Sequence, residues 1–192
     1  MNQLSTAPPG PSLSGLGREQ ASDLAASLAK RTLHAVYTSP LTRAVETGRA
    51  IAQRHGLPVV VAGQLAELSV GRLEGRSDKA AFEELDLSWH RWLVDGDLDR
   101  RAGPGGESAR SVIARFDECV RRIAADHEGQ TVVIVSHASI LELCLPRLCG
   151  NLPPKFAREN SLRNAQRVEV EVTDAFVCAQ WGDLTPPSNE AE

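Results

Sequence analysis

Thr131-Val132-Val133-Ile134-Val135-Ser136-His137-Ala138-Ser139 is the stretch on which the reading of this chain turns. A run rich in β-branched residues, entered from Gly129-Gln130 and left by a polar turn, reads as a strand buried on both faces, as in a parallel sheet. Ser139 can cap a helix that begins at Ile140, so His137 stands where a strand gives way to a helix. In open α/β sheets that carboxyl edge is where ligands bind. A histidine there can equally be a satisfied structural residue, and the choice depends on what the rest of the chain brings to the same edge.

Two further junctions of this kind lie upstream. His34 to Tyr37 reads as a short strand, and Thr38-Ser39-Pro40 turns the chain into a helix whose first turn holds Arg43. Unpaired N–H groups and the helix dipole favour an anion at that point, by roughly 0.3–1 kcal/mol for the dipole. A charged hydrogen bond from the guanidinium adds about 1.5–3 kcal/mol. The helix ends near His55-Gly56, with Gly56 as a left-handed cap, and Val59 to Ala62 forms another strand. Glu67 follows it closely. If the strands are parallel, Arg43, Glu67 and His137 share one sheet edge, and a cation, a carboxylate and an imidazole suit phosphate chemistry. Taken singly, each also has a plain reading: Arg43 as a surface arginine paired with an acid, Glu67 as a solvated carboxylate.

The 192 residues suffice for one domain, and 42% hydrophobic content is ordinary for a soluble globular chain. A net charge of -4 argues against nonspecific nucleic-acid or membrane partners. Cys119, Cys144, Cys149 and Cys178 show no Cys-x-x-Cys spacing and read as reduced core residues. With no apolar run long enough to cross a bilayer, the expected location is the cytoplasm.

Met1 to Pro11, rich in Ser, Thr, Pro and Gly, reads by itself as a solvated leader. Ser14 caps a helix to about Lys30, with Leu16, Leu24 and Leu28 on its apolar stripe. Residues 76–104 form an excursion or lid with two helices, about 79–85 and 88–94, whose Phe82, Trp89 and Trp92 read first as core contacts. Ser108 starts a long helix carrying Val112, Ile113, Phe116, Val120 and Ile123. Val168 to Val172 and Phe176 to Trp181 pair as an antiparallel hairpin, and 184–192 reads as a disordered tail. The order of elements predicts one three-layer α/β/α sandwich over residues 1–183, with a mostly parallel sheet and an antiparallel C-terminal hairpin.

Ser39-Pro40-Leu41-Thr42-Arg43-Ala44-Val45-Glu46-Thr47, Leu65-Ala66-Glu67 with Gly71 and Glu74-Gly75, Gly105-Gly106-Glu107-Ser108, and Val135-Ser136-His137 occur in this order. The ordered set resembles the histidine phosphatase, or phosphoglycerate-mutase-like, superfamily. The resemblance implies that fold and a phosphomonoester hydrolase acting through a phosphohistidine. It makes Arg43 a phosphate-binding arginine, Glu67 the proton donor and His137 the second histidine of the phosphate pocket. Ala138 departs from the usual Ser-His-Gly. No cofactor or metal is expected, since arginine and histidine supply the charge and the five histidines show no zinc-type helical pair. The expected partner is a small phosphorylated substrate, not nucleic acid or membrane; substrate identity and oligomeric state are not legible.

Members of that family begin with a buried strand closing in Arg-His-Gly, whose histidine is the nucleophile. The chain starts after the place where that strand is expected, which suggests a truncated start, with Met1 an internal methionine and Gln3 to Pro11 the loop that leaves the catalytic strand instead of a free leader. Arg54-His55-Gly56 spells the same letters but follows a helix instead of a strand, and reads as coincidence. The alternatives are a catalytically dead phosphoester-binding pseudoenzyme or scaffold and, less favoured, a phosphoglycerate mutase. Losing a buried strand of four or five apolar residues, at roughly 1.5–3 kcal/mol each, removes about as much as the net stability of a domain, ~5–15 kcal/mol. It also bares a sheet edge. This chain expressed alone is therefore expected to be loosely folded or poorly soluble and inactive. A sharp melt matching that of a version extended upstream would refute the expectation.

Overall fold

A computed structural model of the chain describes residues 3–153 and 155–187. Three parallel strands, β1 (Ala35–Thr38), β2 (Val59–Val61) and β3 (Val132–Val135), are ordered β2-β1-β3. Thr38, the last residue of β1, lies opposite Val61 on one side and Val135 on the other. Three strand ends therefore stop level with one another. The ladder runs one step further on each side, Ala62 N–H donating to Thr38 O and Ser39 N–H to Val135 O, each at 2.9 Å.

Helices cover both faces because the strand residues alternate. Val36, Val133 and Val135 pack with Ala25 and Leu28 of α1 (Gly15–Leu28) and with Ile51 and Ala52 of α2 (Thr42–His55). Tyr37, Val132 and Ile134 face the larger core, which holds Val112, Phe116 and Ile123 of α4 (Ala109–Asp126) and Ile140 and Leu143 of α5 (Ala138–Leu148). Contact at every third or fourth residue is what the period of α4 dictates. All four cysteines are buried and reduced. This is the expected α/β/α layering. A short helix, α6 (Phe156–Glu159), leads to the antiparallel pair β4 (Val168–Val172) and β5 (Phe176–Trp181).

The hairpin forms a separate two-stranded sheet. Among the described residues no strand pairs with the second edge of β3, and all four of its residues are only half-buried. The expectation that β3 is buried on both faces is corrected on this point: the residue types are those of an inner strand, but the side chains lie along an open edge.

Other expectations shift for local reasons. The excursion holds one helix, α3 (Lys79–Leu93), capped by Asp78, instead of two. Ser88 looks like a helix start in sequence, yet its hydroxyl donates within the helix to Glu84 O and also contacts Arg101 O. Trp92 is buried in the core with its indole N–H donating to Arg100 O at 2.8 Å, and Phe82 and Trp89 pack against that core. Leu16 of α1 is 65% exposed and belongs to no core. Helix α5 begins at Ala138 with extended His137 at its cap position, so Ser139 lies inside the first turn. Pro40 precedes α2, whose cap position is Leu41.

The amino-terminal segment does not behave as a solvated leader. Leu4 is buried, and it exchanges backbone bonds with Arg76 O and Gly75 N–H. Thr6 donates through its N–H and hydroxyl to the Glu74 carboxylate, and Pro9 O accepts from Thr42 N–H at 2.7 Å. At the other end, Leu184 is bonded to Trp181, and Pro187 O accepts from the Asn151 amide. The tail expected over 184–192 lies, for residues 188–192, outside the described residues.

Gly71 fixes the loop that follows Glu67. It has a φ of 58°, and a Cβ there would collide with Gly106 N and Pro104 O. Neither neighbour is a flexible side chain, so Gly71→Ala is expected to cost about 2–3 kcal/mol and lower the melting midpoint by roughly 4–12 °C. A thermal melt of the variant checks this.

Candidate active site

The level strand ends bring the predicted residues together. Ser39 leaves β1 fully buried, and one turn later Arg43, the second residue of α2, reaches back across the sheet edge. Its Nη2 lies 3.3 Å from His137 Nδ1. His137 Nε2 lies 2.8 Å from Ser39 Oγ. A guanidinium only donates, so Nδ1 must offer a lone pair, and the ring proton sits on Nε2 and is donated to Ser39. Ser39 Oγ also accepts from Leu41 N–H at 3.2 Å.

His137 is 7% exposed. Burial, and then the nearby cations Arg43 and Arg115, push its pKa down to about 3. The ring is therefore neutral at ordinary pH. Arg43 loses some basicity to burial, against the opposing pull of Glu67 and Glu74, and stays a cation.

Glu67 follows a single 3-10 turn, Gly63–Leu65, at the exit of β2. Its Oε1 accepts Leu68 N–H at 2.8 Å. Burial holds the carboxyl above the ordinary glutamate range, although Leu68 N–H, Arg43, Ser139 and Arg115 all favour its charged form. Part of Glu67 remains solvent-accessible. Burial thus shifts Glu67 toward its neutral form beside a fixed cation.

Several contributors carried no signal as site residues in the sequence. The amino-terminal segment borders the site, since a Cβ on Gly10 would lie 3.1 Å from Arg43 Nη1. Ser39 orients His137 through a hydroxyl that the sequence presents as a turn residue. Glu74, recognisable only as one letter of a motif, ties down Thr6 and Ala7. Arg115 lies on α4, far from Glu67 in sequence, and nothing local marks it. His55 is the last residue of α2 with left-handed Gly56 behind it. It lies twelve residues beyond Arg43, about 18 Å along the helix, in keeping with coincidence for Arg54-His55-Gly56.

Two surface hollows, about 330 and 420 Å³, flank α2 and contain none of Arg43, Glu67 or His137. Convergent polar chemistry marks the site better than concavity does. Among the described residues no group of three or more His, Cys, Asp and Glu is arranged to hold a metal ion, and no helix is long and apolar enough to cross a membrane.

The model of the histidine phosphatase superfamily (branch 1) matches residues 3–183. A bifunctional protein of Mycobacterium tuberculosis is 36% identical over 136 residues, covering 70% of this chain and 36% of that protein. Phosphoserine phosphatase 1 of Hydrogenobacter thermophilus is 32% identical over 127 residues, 66% of this chain and 59% of its own length. A probable phosphoglycerate mutase of Yersinia enterocolitica is 31% identical over 174 residues, covering 88% and 78% of the two chains. The chain thus spans about a third of the first relative and 59% of the second. Among solved structures, the mycobacterial glucosyl-3-phosphoglycerate phosphatase complexed with VO3 superposes with a TM-score of 0.79 at 25% identity, over 94% of this chain and 90% of that one.

The depressed His137 pKa has a consequence for stability. The unfolded ring takes a proton near 6.5, the folded ring only near 3, so the contribution is present above pH 6.5 and is lost as pH falls toward 3. Glu67, raised in the fold, acts in the opposite sense, its contribution being lost as pH rises past the ordinary glutamate value. The comparison must therefore isolate His137. The difference in urea-unfolding free energy between the parent and His137→Asn is expected to shift against the parent, by at most about 1.4 kcal/mol per pH unit, as pH falls from 6.5 toward 4. A difference that does not change with pH would show that the ring titrates normally.

Proposed function

The chain belongs to the histidine phosphatase superfamily, and from that premise and the geometry of the strand ends we propose that it forms the substrate-binding and proton-transfer part of a phosphomonoester hydrolase. The observation that carries this reading is the contact of Arg43 with His137, with Glu67 close enough to act on the guanidinium's charge. Arg43 binds phosphoryl oxygens and offsets their charge. A bound dianion, by cancelling the effect of Arg43, moves the His137 pKa back up, and the ring then takes a second proton on Nδ1 and donates it in a hydrogen bond to a phosphoryl oxygen while Nε2 stays on Ser39. Glu67 works as the acid.

The reaction is a double displacement. A histidine nitrogen attacks phosphorus, the P–O ester bond breaks, and the Glu67 carboxyl gives its proton to the leaving oxygen, releasing an alcohol. Water then attacks the phosphohistidine, the P–N bond breaks, and the Glu67 carboxylate takes the water proton, which releases phosphate and restores the acid. None of the described side chains at this edge is placed to attack phosphorus. We assign the nucleophile to a strand outside the sequence given, lying along the open edge of β3. A fourth parallel strand there would end level with Val135, beside His137, and would bury the half-exposed valines. The relatives include both phosphatases and a probable mutase, and the hydrolase is preferred because Glu67 is suited to activate water as well as to protonate an alcohol.

Hydrolysis of 4-nitrophenyl phosphate is to be measured for this chain and for a version extended upstream. The extended form is expected to turn over and this chain not to. In the active form, Arg43→Ala and His137→Ala are each expected to lower kcat/KM by about 10²–10³. Near-normal turnover in either variant removes that residue from the site. Two folded but inactive forms would favour a phosphoester-binding scaffold.

A further inference from the structure

We infer that Arg115, locked in place by Glu107, is the positioning residue for Glu67. The loop from Gln64 to Glu67 has four successive carbonyl oxygens, and each is held by a side chain from another element. Arg115 Nη1 donates to Gln64 O at 2.5 Å and to Ala66 O at 2.9 Å, and its Nη2 to Glu67 O at 3.3 Å. Ser136 Oγ, from the turn after β3, donates to Leu65 O at 2.9 Å. The guanidinium is held in turn. Its Nε and Nη2 donate to the two carboxylate oxygens of Glu107 at 2.9 and 3.0 Å, and Glu107 Oε2 also accepts Ser69 N–H at 2.9 Å.

Three of the hydrogen bonds that this one arginine donates thus go to the backbone around Glu67, and the other two hold it to Glu107. The planar fork and its two-point bond to a carboxylate fix orientation as well as distance, which a lysine could not do. Both side chains are largely covered, at 19% and 28% exposure. Glu107 is charged in spite of that burial, because Arg115 and Ser69 N–H hold its carboxylate below the ordinary range. Among the described residues the loop has no sheet partner to fix it. Its shape is imposed largely by α4, through the Arg115–Glu107 ion pair. The functional part of this inference, control of proton transfer, rests on the phosphatase reading; the structural part does not.

Two opposing effects on Glu67 make the inference testable. Arg115 as a nearby positive charge lowers the Glu67 pKa, whereas the buried position in which it holds the loop raises it. Substitution Arg115→Gln is to be followed by carbon-detected NMR titration of the Glu67 carboxyl in whichever of the two forms, this chain or the version extended upstream, gives a folded soluble sample. Release of the loop to solvent moves the Glu67 pKa down toward the ordinary value. A pKa that rises or stays unchanged shows that Arg115 contributes charge alone, and overturns the inference. Glu107→Gln keeps the arginine and removes its anchor, and the same downward direction is expected; it also serves as the decisive variant should Arg115→Gln fail to fold.

In whichever form turns over, the two variants are expected to lose about 100-fold in kcat on an alkyl phosphate, whose leaving oxygen must be protonated, and no more than about threefold on 2,4-dinitrophenyl phosphate, whose leaving group needs no proton. Equal losses on both esters would reduce Arg115 to a general structural role and overturn the inference. Absence of turnover in every form would count against the phosphatase reading, while the Glu67 titration would still decide whether the clamp exists.

Discussion

The parallel ladder β2-β1-β3 is the constraint from which the site follows. One residue, Thr38, is opposite both Val61 and Val135, so the three strand ends cannot be staggered. Each turn that follows carries one polar side chain forward from the same level. A register slip of one residue in β3 would turn His137 to the other face of the sheet, away from Arg43 and Ser39, because strand side chains alternate. The backbone hydrogen bonds of seven valines and four other strand residues thus set the distance between an arginine and a histidine separated by more than ninety positions in the chain.

Charge is concentrated where the fold can least solvate it. Arg43, Glu67, Glu74, Glu107 and Arg115 all lie within or around one partly covered region, and each is answered by a group of opposite sign or by a backbone donor. Burying such a set without those partners would cost several kcal/mol per ion. Against that background the two groups whose charge is suppressed stand out: His137, kept neutral by burial and neighbouring cations, and Glu67, held toward its protonated form by burial. The residues that fix geometry stay ionised. Burial instead disfavours the charged forms of His137 and Glu67, so one sheet edge combines fixed charges with two groups shifted toward neutrality.

The loops around the site obey a different requirement, close backbone approach. Gly103 and Gly106 lie against the backbone of Ser69 and Val70, and Gly71 against Pro104 and Gly106, at separations that admit no Cβ. The stretch after Glu67 and the stretch before α4 are therefore one packed unit. That packing brings Glu107 to Ser69 N–H and aims α4 so that Arg115 reaches the loop. The amino-terminal segment joins the same unit through Leu4 and Glu74.

Local sequence determined a good deal. The β-branched runs, Ser14 and Ser108 as caps, left-handed Gly56, and the alternation of β4 specify the elements through backbone sterics and short-range hydrogen bonds, which act within a few residues. Arg43, Glu67 and His137 were legible as candidates because each follows a strand by a turn. Three matters were decided only by the tertiary structure. The half-burial of β3 depends on which strand lies beside it, and no property of Val132 to Val135 encodes that. The continuity of α3 through Ser88 depends on a carbonyl of Arg101 from another segment. The roles of Ser39 and Arg115 depend on hydrogen bonds to residues about fifty to a hundred positions away. Propensity acts over the length of a turn, whereas protonation state and side-chain orientation are set by whatever the folded chain places within a few ångströms.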